Sequence, residues 1–186
     1  MRALLATTNA HKVSELRTML GFEIEAQGVD VDETGATFAE NALLKARAAA
    51  SLAPPGTVAL GEDSGIAVVA LNGEPGIRSA RFAGPDDAGR RRALLARMDG
   101  VGDRRAAYVS ALAAVLPDGR ELVAEGRLEG CLSLDERGSA GFGYDPIFVP
   151  EGEQLTVGEL GQARKDEISH RARAAAALAE MLRSEA

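Results

Sequence analysis

The sequence predicts an α/β protein with a mixed sheet, and three observations carry that expectation. Apolar runs of strand length alternate with stretches of helical periodicity. A turn of Pro117, Asp118 and Gly119 joins two long strand-like segments in the middle of the chain. No internal repeat, linker or low-complexity tract interrupts the 186 residues, so one domain over 1–186 is expected. Strand–helix alternation favours parallel pairing, whereas a tight hairpin demands an antiparallel pair, hence a mixed sheet.

The elements follow in order. Arg2–Thr7 reads as a buried strand, and the turn Thr8–His11 leads into a helix over Lys12–Leu20, where Val13, Leu16 and Leu20 recur at helical spacing. A short strand at Glu23–Gln27 precedes an acidic loop, Asp30–Gly35. Thr37 and Glu40 have the spacing of a capping box, in which each side chain bonds the other residue's backbone N–H. They open an alanine-rich helix to about Leu52, which Pro54, Pro55 and Gly56 stop. Thr57–Gly61 and Ile66–Ala70 read as two strands interrupted by Glu62-Asp63-Ser64-Gly65. A loop punctuated by glycine and proline precedes a helix over Asp86–Met98. The hairpin pairs Arg105–Leu116 with Arg120–Glu129. A glycine-rich stretch around Phe142–Asp145 follows, and the last helix covers Ser169–Arg183, with residues 165–171 opening it.

A hydrophobic fraction of 46% and a charged fraction of 26% are those of an ordinary globular protein. No apolar run approaches the roughly 20 residues of a membrane helix, and the N-terminus is too briefly apolar for a signal peptide; a cytoplasmic protein with no membrane partner is expected. The lone Cys131 can form no internal disulfide, in keeping with a reducing compartment. A net charge of −7 argues against duplex nucleic acid, which is bound by releasing counterions to a basic surface. It leaves room for a small polyanion in one locally positive site.

Of the 21 basic residues only Lys12, Lys45 and Lys165 are lysine. Arginine serves as the generic surface cation, so the retained lysines are candidates for sites needing a compact ammonium. Lys12 follows Thr7, Thr8, Asn9, Ala10 and His11 at a strand-to-helix turn, where a helix N-terminus offers unpaired N–H groups and a positive dipole end to a phosphate. A lysine there opposes the dipole, so helix stability gives no reason for it. A polar cap at Thr8 or Asn9 with an incidental lysine is the plainer alternative. Asp30, Asp32 and Glu33 on the acidic loop, and Glu62-Asp63 at a strand end, supply carboxylates of the kind that Mg²⁺ takes alongside phosphates and waters, with a solvated loop the plainer reading for Asp30 and Asp32. Lys45 lies two turns into the helix that Glu33 enters, so the two can share one site. In Gly141–Asp145, glycines allow close backbone approach and Phe142 or Tyr144 can stack on a base. Lys165, His170 and Arg171 offer donors to a base bearing keto oxygens.

Taken together, TTNAHK (7–12), ETGATFAENALLKA (33–46), EDSGIAV (62–68) with LNGEPGIRSARFAG (71–84), GFGYDPIF (141–148) and KDEISHR (165–171) resemble the inosine triphosphate pyrophosphatase family. The likeness covers nearly the whole chain and keeps the family's motif order. It implies a long central mixed sheet flanked by helices, in two lobes with the active site in the cleft between them, and a homodimer. It implies Mg²⁺-dependent hydrolysis of non-canonical purine triphosphates, ITP, dITP and XTP, to monophosphate and pyrophosphate. By position, Thr7, Thr8, Asn9, Ala10, His11, Lys12, Lys45 and Lys165 would hold the triphosphate. Glu33 and Asp63 would bind the metal, with Asp63 the general base, and Ser64 would touch substrate. Phe142, Gly143, Tyr144, Asp145, His170 and Arg171 would form the purine pocket, with Arg171 facing O6. The chain departs from many bacterial members at Glu62, where they carry aspartate, and at Ala10-His11, which is less glycine-like. The rival readings are a Maf-like nucleotide pyrophosphatase acting on pyrimidine or modified nucleotides, and a non-catalytic nucleotide-binding module.

Overall fold

A computed structural model describes residues 1–84 and 86–184. The elements are β1 (Arg2–Ala6), α1 (Ala10–Leu20), β2 (Glu23–Gln27), α2 (Phe38–Ala50), β3 (Val58–Val68), α3 (Asp87–Arg97), β4 (Arg105–Val115), β5 (Glu121–Leu132), β6 (Phe148–Pro150), α4 (Val157–Leu160), α5 (Gln162–Ile168) and α6 (His170–Ser184). The six strands form one sheet in the order β2-β1-β3-β4-β5-β6. β1 is parallel to both β2 and β3, while β5 and β6 are antiparallel, so the sheet is mixed.

The chain forms two compact units. Among the described residues, the first holds 1–63, 110–126 and 170–184, and the second holds 64–84, 86–109 and 127–169. β3, β4 and β5 contribute residues to both.

In the first unit, alternation along the strands sorts side chains onto two faces. Leu5, Leu60, Leu112 and Ala124 share a core with Leu16 and Leu20 of α1 and with Ala174 and Leu178 of α6. Their neighbours in sequence, Leu4, Ala59, Ala111 and Ala113, face Ala42, Ala46 and Ala49 of α2. The alanines have a reason. Gly61 and Gly126 present bare backbone to α2 and α6, and a Cβ at Gly61 would strike Ala42 O and Ala46 N. At Gly126 it would strike His170 O and Ala174 N. Small residues on both partners let each helix seat directly on a strand.

In the second unit, Leu94 of α3 and Met98 just after it are buried against Ile66, Val68, Ala106, Leu128 and Leu132. Tyr108 packs edge-on against Phe148, with ring centroids 4.7 Å apart.

Three local expectations are corrected. The segment Glu62–Gly65 does not interrupt a strand, since β3 runs unbroken from Val58 to Val68. Its glycine is a packing site rather than a turn former; a Cβ at Gly65 would collide with the Ser79 hydroxyl. Thr37 caps α2 by accepting the Glu40 N–H at 3.1 Å, but the Glu40 carboxylate reaches past it to the Ala36 N–H, so the box is not reciprocal. Residues 165–171 do not open the last helix. Lys165 lies in α5, Ser169 is extended, and α6 starts at His170.

Candidate active site

Because β3 continues through Glu62 and Asp63, the two carboxylates point to opposite faces of the sheet. Each finds the helices of its own face.

Asp63 faces α2. Its Oδ1 accepts from Lys45 Nζ at 2.8 Å, and its Oδ2 lies 3.4 Å from Asn41 Nδ2. Lys45 also pairs with Glu33 Oε1 at 2.6 Å, so one ammonium gathers a carboxylate from the strand and another from the loop. Lys45 and Asn41 stand four residues apart on α2, which places them on one helix face. Asn41 is fully buried, and its Oδ1 accepts the Gly35 N–H at 2.9 Å, tying down the loop that carries Glu33. Asp30 and Asp32 on that loop are exposed.

Glu62 faces α1 and α6. Its Oε2 lies 2.5 Å from Lys12 Nζ, while its Oε1 accepts from Ser110 at 2.9 Å and from Arg171 Nη2 at 2.9 Å. The Arg171 guanidinium, 1% exposed, also binds Glu15 of α1. Arg171 thus lies between two buried carboxylates of the first unit. The sequence reading expects a donor facing O6 at this position; here the guanidinium bonds Glu15 and Glu62.

Burial is the largest influence on both members of the Asp63–Lys45 pair, and it opposes charge on each. For Lys45 it is outweighed by Asp63 and Glu33, and the ammonium is held above its ordinary pKa. For Asp63 burial outweighs Lys45 and Lys12, and Glu62 beside it adds repulsion, so the carboxyl is raised. A raised carboxyl is a better proton acceptor than a solvated one.

The turn before α1 folds on its own side chains. Asn9 is the N-cap, accepting the N–H groups of His11 at 2.9 Å and Lys12 at 3.3 Å. Thr7 Oγ1 accepts the Asn9 N–H at 3.1 Å. Thr8, Ala10 and His11 are exposed, and Lys12 is partly buried.

The glycine-rich loop belongs to the second unit, as do Lys165 and the half-buried Ser64. Asp145 is its organiser: Oδ2 accepts from Lys165 Nζ at 2.9 Å and from the Phe142 N–H at 2.9 Å, and Oδ1 accepts from the Tyr108 hydroxyl at 3.1 Å. Lys165 is 3% exposed and lies 4.3 Å from the centroid of Phe142. The two aromatics of the loop part company. Tyr144 is buried, donates to Ser79 O at 2.8 Å and is pushed up to about 12 by that burial. Phe142 stays half-exposed, so it is the ring available for stacking. His170 is buried at the start of α6.

Four of these residues escaped the sequence: Glu15, Asn41, Tyr108 and Ser110. Glu15 carried one usable signal, a charged residue beside Leu16 on the apolar stripe of α1 and three residues after Lys12.

The sequence model of the Ham1 family matches residues 3–181. The chain belongs to the Ham1 family. A relative from Symbiobacterium thermophilum, named dITP/XTP pyrophosphatase, is 53% identical and is aligned over 97% of this chain and 94% of its own. The Ham1 protein of Staphylococcus aureus superposes with a TM-score of 0.88 at 35% identity, covering the whole of both chains. A solved structure from Mycobacterium abscessus, named nucleoside-triphosphatase or dITP/XTP pyrophosphatase, has a TM-score of 0.77 at 43% identity and covers 98% of this chain. The mixed sheet with flanking helices is therefore the Ham1 fold. No helix among the described residues is long and apolar enough to cross a membrane.

Proposed function

We propose that this chain hydrolyses non-canonical purine nucleoside triphosphates, dITP, XTP and ITP, to the monophosphate and pyrophosphate. One observation carries the reading: Asp63, buried with its basicity raised, is bonded by Lys45 in the same cluster that holds Glu33. Relatives at about this level of identity bear the matching name, which supports the substrate class.

In this reading Asp63 takes the proton from the water that attacks the α-phosphorus, and pyrophosphate leaves. Lys12, Lys45, Lys165 and the Thr7–Lys12 turn bind phosphate oxygens, where compact ammonium groups suit spread charge. Phe142 supplies the stacking face, and the loop to Asp145 with His170 lines the base. The bonds of Arg171 to Glu15 and Glu62 assign it instead to holding Glu62, which pairs with Lys12. Ser64, next to Asp63 in β3, is assigned to substrate.

Mg²⁺ belongs to the same proposal, held by Glu33 and Asp63. The fit rests on the donor set: the two carboxylates already converge on one cation, the Lys45 ammonium, and Mg²⁺ characteristically takes one or two protein carboxylates with phosphates and waters. When bound, such an ion supplies charge neutralisation at the phosphates and acidifies a bound water. A cytoplasmic setting and a homodimer complete the proposal; light scattering on the purified protein tests the latter.

The deciding experiment is pyrophosphate release from ITP, dITP and XTP with Mg²⁺, set against ATP, GTP, UTP and dTTP, with EDTA as the metal control. Hypoxanthine and xanthine triphosphates are expected to lead by orders of magnitude over ATP, because adenine presents an amino group where a keto oxygen is read. Faster cleavage of UTP or dTTP would favour the Maf-like reading. Absence of cleavage of every triphosphate would favour a binding module.

A further inference from the structure

Gly143 sits at the tip of the glycine-rich loop with φ of +62°, a left-handed conformation that glycine adopts without strain. Gly143 lies in a turn, outside any strand or helix. Two side chains of α3 hold it: the Gly143 N–H donates to Asp87 Oδ2 at 2.7 Å, and the Gly143 carbonyl accepts from Arg91 Nη1 at 2.9 Å. Asp87 and Arg91 are four residues apart in the first turns of α3, hence on one face of the helix. Both backbone polar groups of one residue are thus gripped by one helix.

The grip is itself supported. Arg91 binds Glu136 at 2.9 Å and is mostly buried, while Asp87 is bound by Arg90. Burial pushes the Asp87 carboxyl up, but the Gly143 amide and Arg90 outweigh it and hold the group below the ordinary range, so the acceptor is anionic at neutral pH. From the other side, Asp145 holds the Phe142 N–H. The peptide units on either side of Phe142 are therefore both fixed by side chains, and its ring is left half-exposed beside Lys165.

We infer that Asp87 and Arg91 are positioning residues for base recognition, fixing the plane that Phe142 presents to the purine. This rests on the proposed reading in which the loop takes the base. The tip carries the aromatic ring but cannot fix it alone, since a glycine with no side chain contributes only its backbone. Charge-assisted bonds to that backbone are the strong class of hydrogen bond, and losing one frees the ring to wander.

The test separates base from phosphate. Binding of IMP, which carries the base, and of tripolyphosphate, which does not, is measured by calorimetry for wild type, Asp87→Ala, Arg91→Ala and the conservative Asp87→Asn. Each alanine variant is expected to bind IMP about tenfold more weakly and to raise KM for ITP to match, with kcat within about twofold and tripolyphosphate binding unchanged. Asp87→Asn keeps an acceptor for the Gly143 N–H and should recover most of the affinity. A fall in melting temperature with unchanged IMP binding and KM would overturn the inference, leaving a purely structural contact. Equal losses for IMP and tripolyphosphate would overturn it as well. Should wild type bind tripolyphosphate but neither bind IMP nor cleave ITP, the functional reading itself fails, and the inference falls with it.

Discussion

In the first unit, ions are matched with ions: α1, α2 and α6 each send charged side chains to one short stretch of β3, where Glu62 and Asp63 receive them on opposite faces. In the second unit, a single buried carboxylate, Asp145, gathers a lysine, a tyrosine and a backbone amide around an otherwise irregular loop. The first arrangement is set by the periodicities of strand and helix, and so it is stiff wherever the sheet is stiff. The second is set by hydrogen bonds to backbone, and so its shape depends on a few side chains at a distance from the loop. Chemistry that must hold a proton acceptor in place suits the first design. Reading the outline of a base suits the second, in which a ring can be aimed by adjusting its supports.

The largest expected effect is at Asp63. Asp63→Asn should lower kcat by about 10² to 10⁴-fold while the fold persists, as circular dichroism and thermal melting would report. Retention of more than about a tenth of the activity would remove Asp63 as the base and dissolve the contrast. The stability sign is also fixed. A carboxyl raised in the folded protein favours folding at acid pH, and that contribution is lost as pH rises through the raised value. The asparagine variant, neutral throughout, should lack this component in a pH series of melting curves.

Next in size is Arg171→Ala, expected to cost about 3–5 kcal/mol in denaturant unfolding, since Glu15 and Glu62 would lose a buried partner. A variant that melts normally but no longer prefers ITP to ATP would restore Arg171 to the base and blur the division of labour between the units. Gly61→Ala should cost about 1–3 kcal/mol, because the added methyl meets backbone that has to shift. Its kcat should fall as well, since α2 carries Lys45 and Asn41; unchanged kinetics would show that the seat of α2 is not what places them. Smallest is Lys12→Arg, with KM for ITP raised about tenfold despite the conserved charge, because a planar fork does not replace a point charge beside Glu62. Wild-type kinetics would return Lys12 to the role of a counterion.

Much of the fold could be read from the sequence, and the reasons separate by element. α1 and α2 announced themselves through helical spacing and the Thr37 cap, and the hairpin through Pro117-Asp118-Gly119, because local signals set local structure. β3 misled for a physical reason: glycine next to charge has the look of a turn, yet Gly61 and Gly65 are there to admit a helix and a hydroxyl. Glu33, Lys45 and Asp63 are candidates on sequence grounds, and the structure brings the two carboxylates together on the Lys45 ammonium. The bonds from Arg171 to Glu62 and Glu15 span 109 and 156 residues, and no local pattern pairs such partners. Asp87 and Arg91 were hidden too, looking like ordinary polar positions on a helix whose apolar side was plain.

The bare backbone at Gly61 and Gly126 has a consequence for how this protein can vary. Charged side chains can trade partners, and a lost ion pair can be replaced by another a turn away. A helix seated directly on a strand has no such freedom. Enlarging Gly61 would require trimming α2, but Ala42 and Ala46 are already nearly as small as residues come, and the atoms in the way are main chain. The same holds for α6 at Gly126. These two positions, which bear no functional group at all, leave little room for substitution, and they seat the helices of the charged residues on β3 and β5.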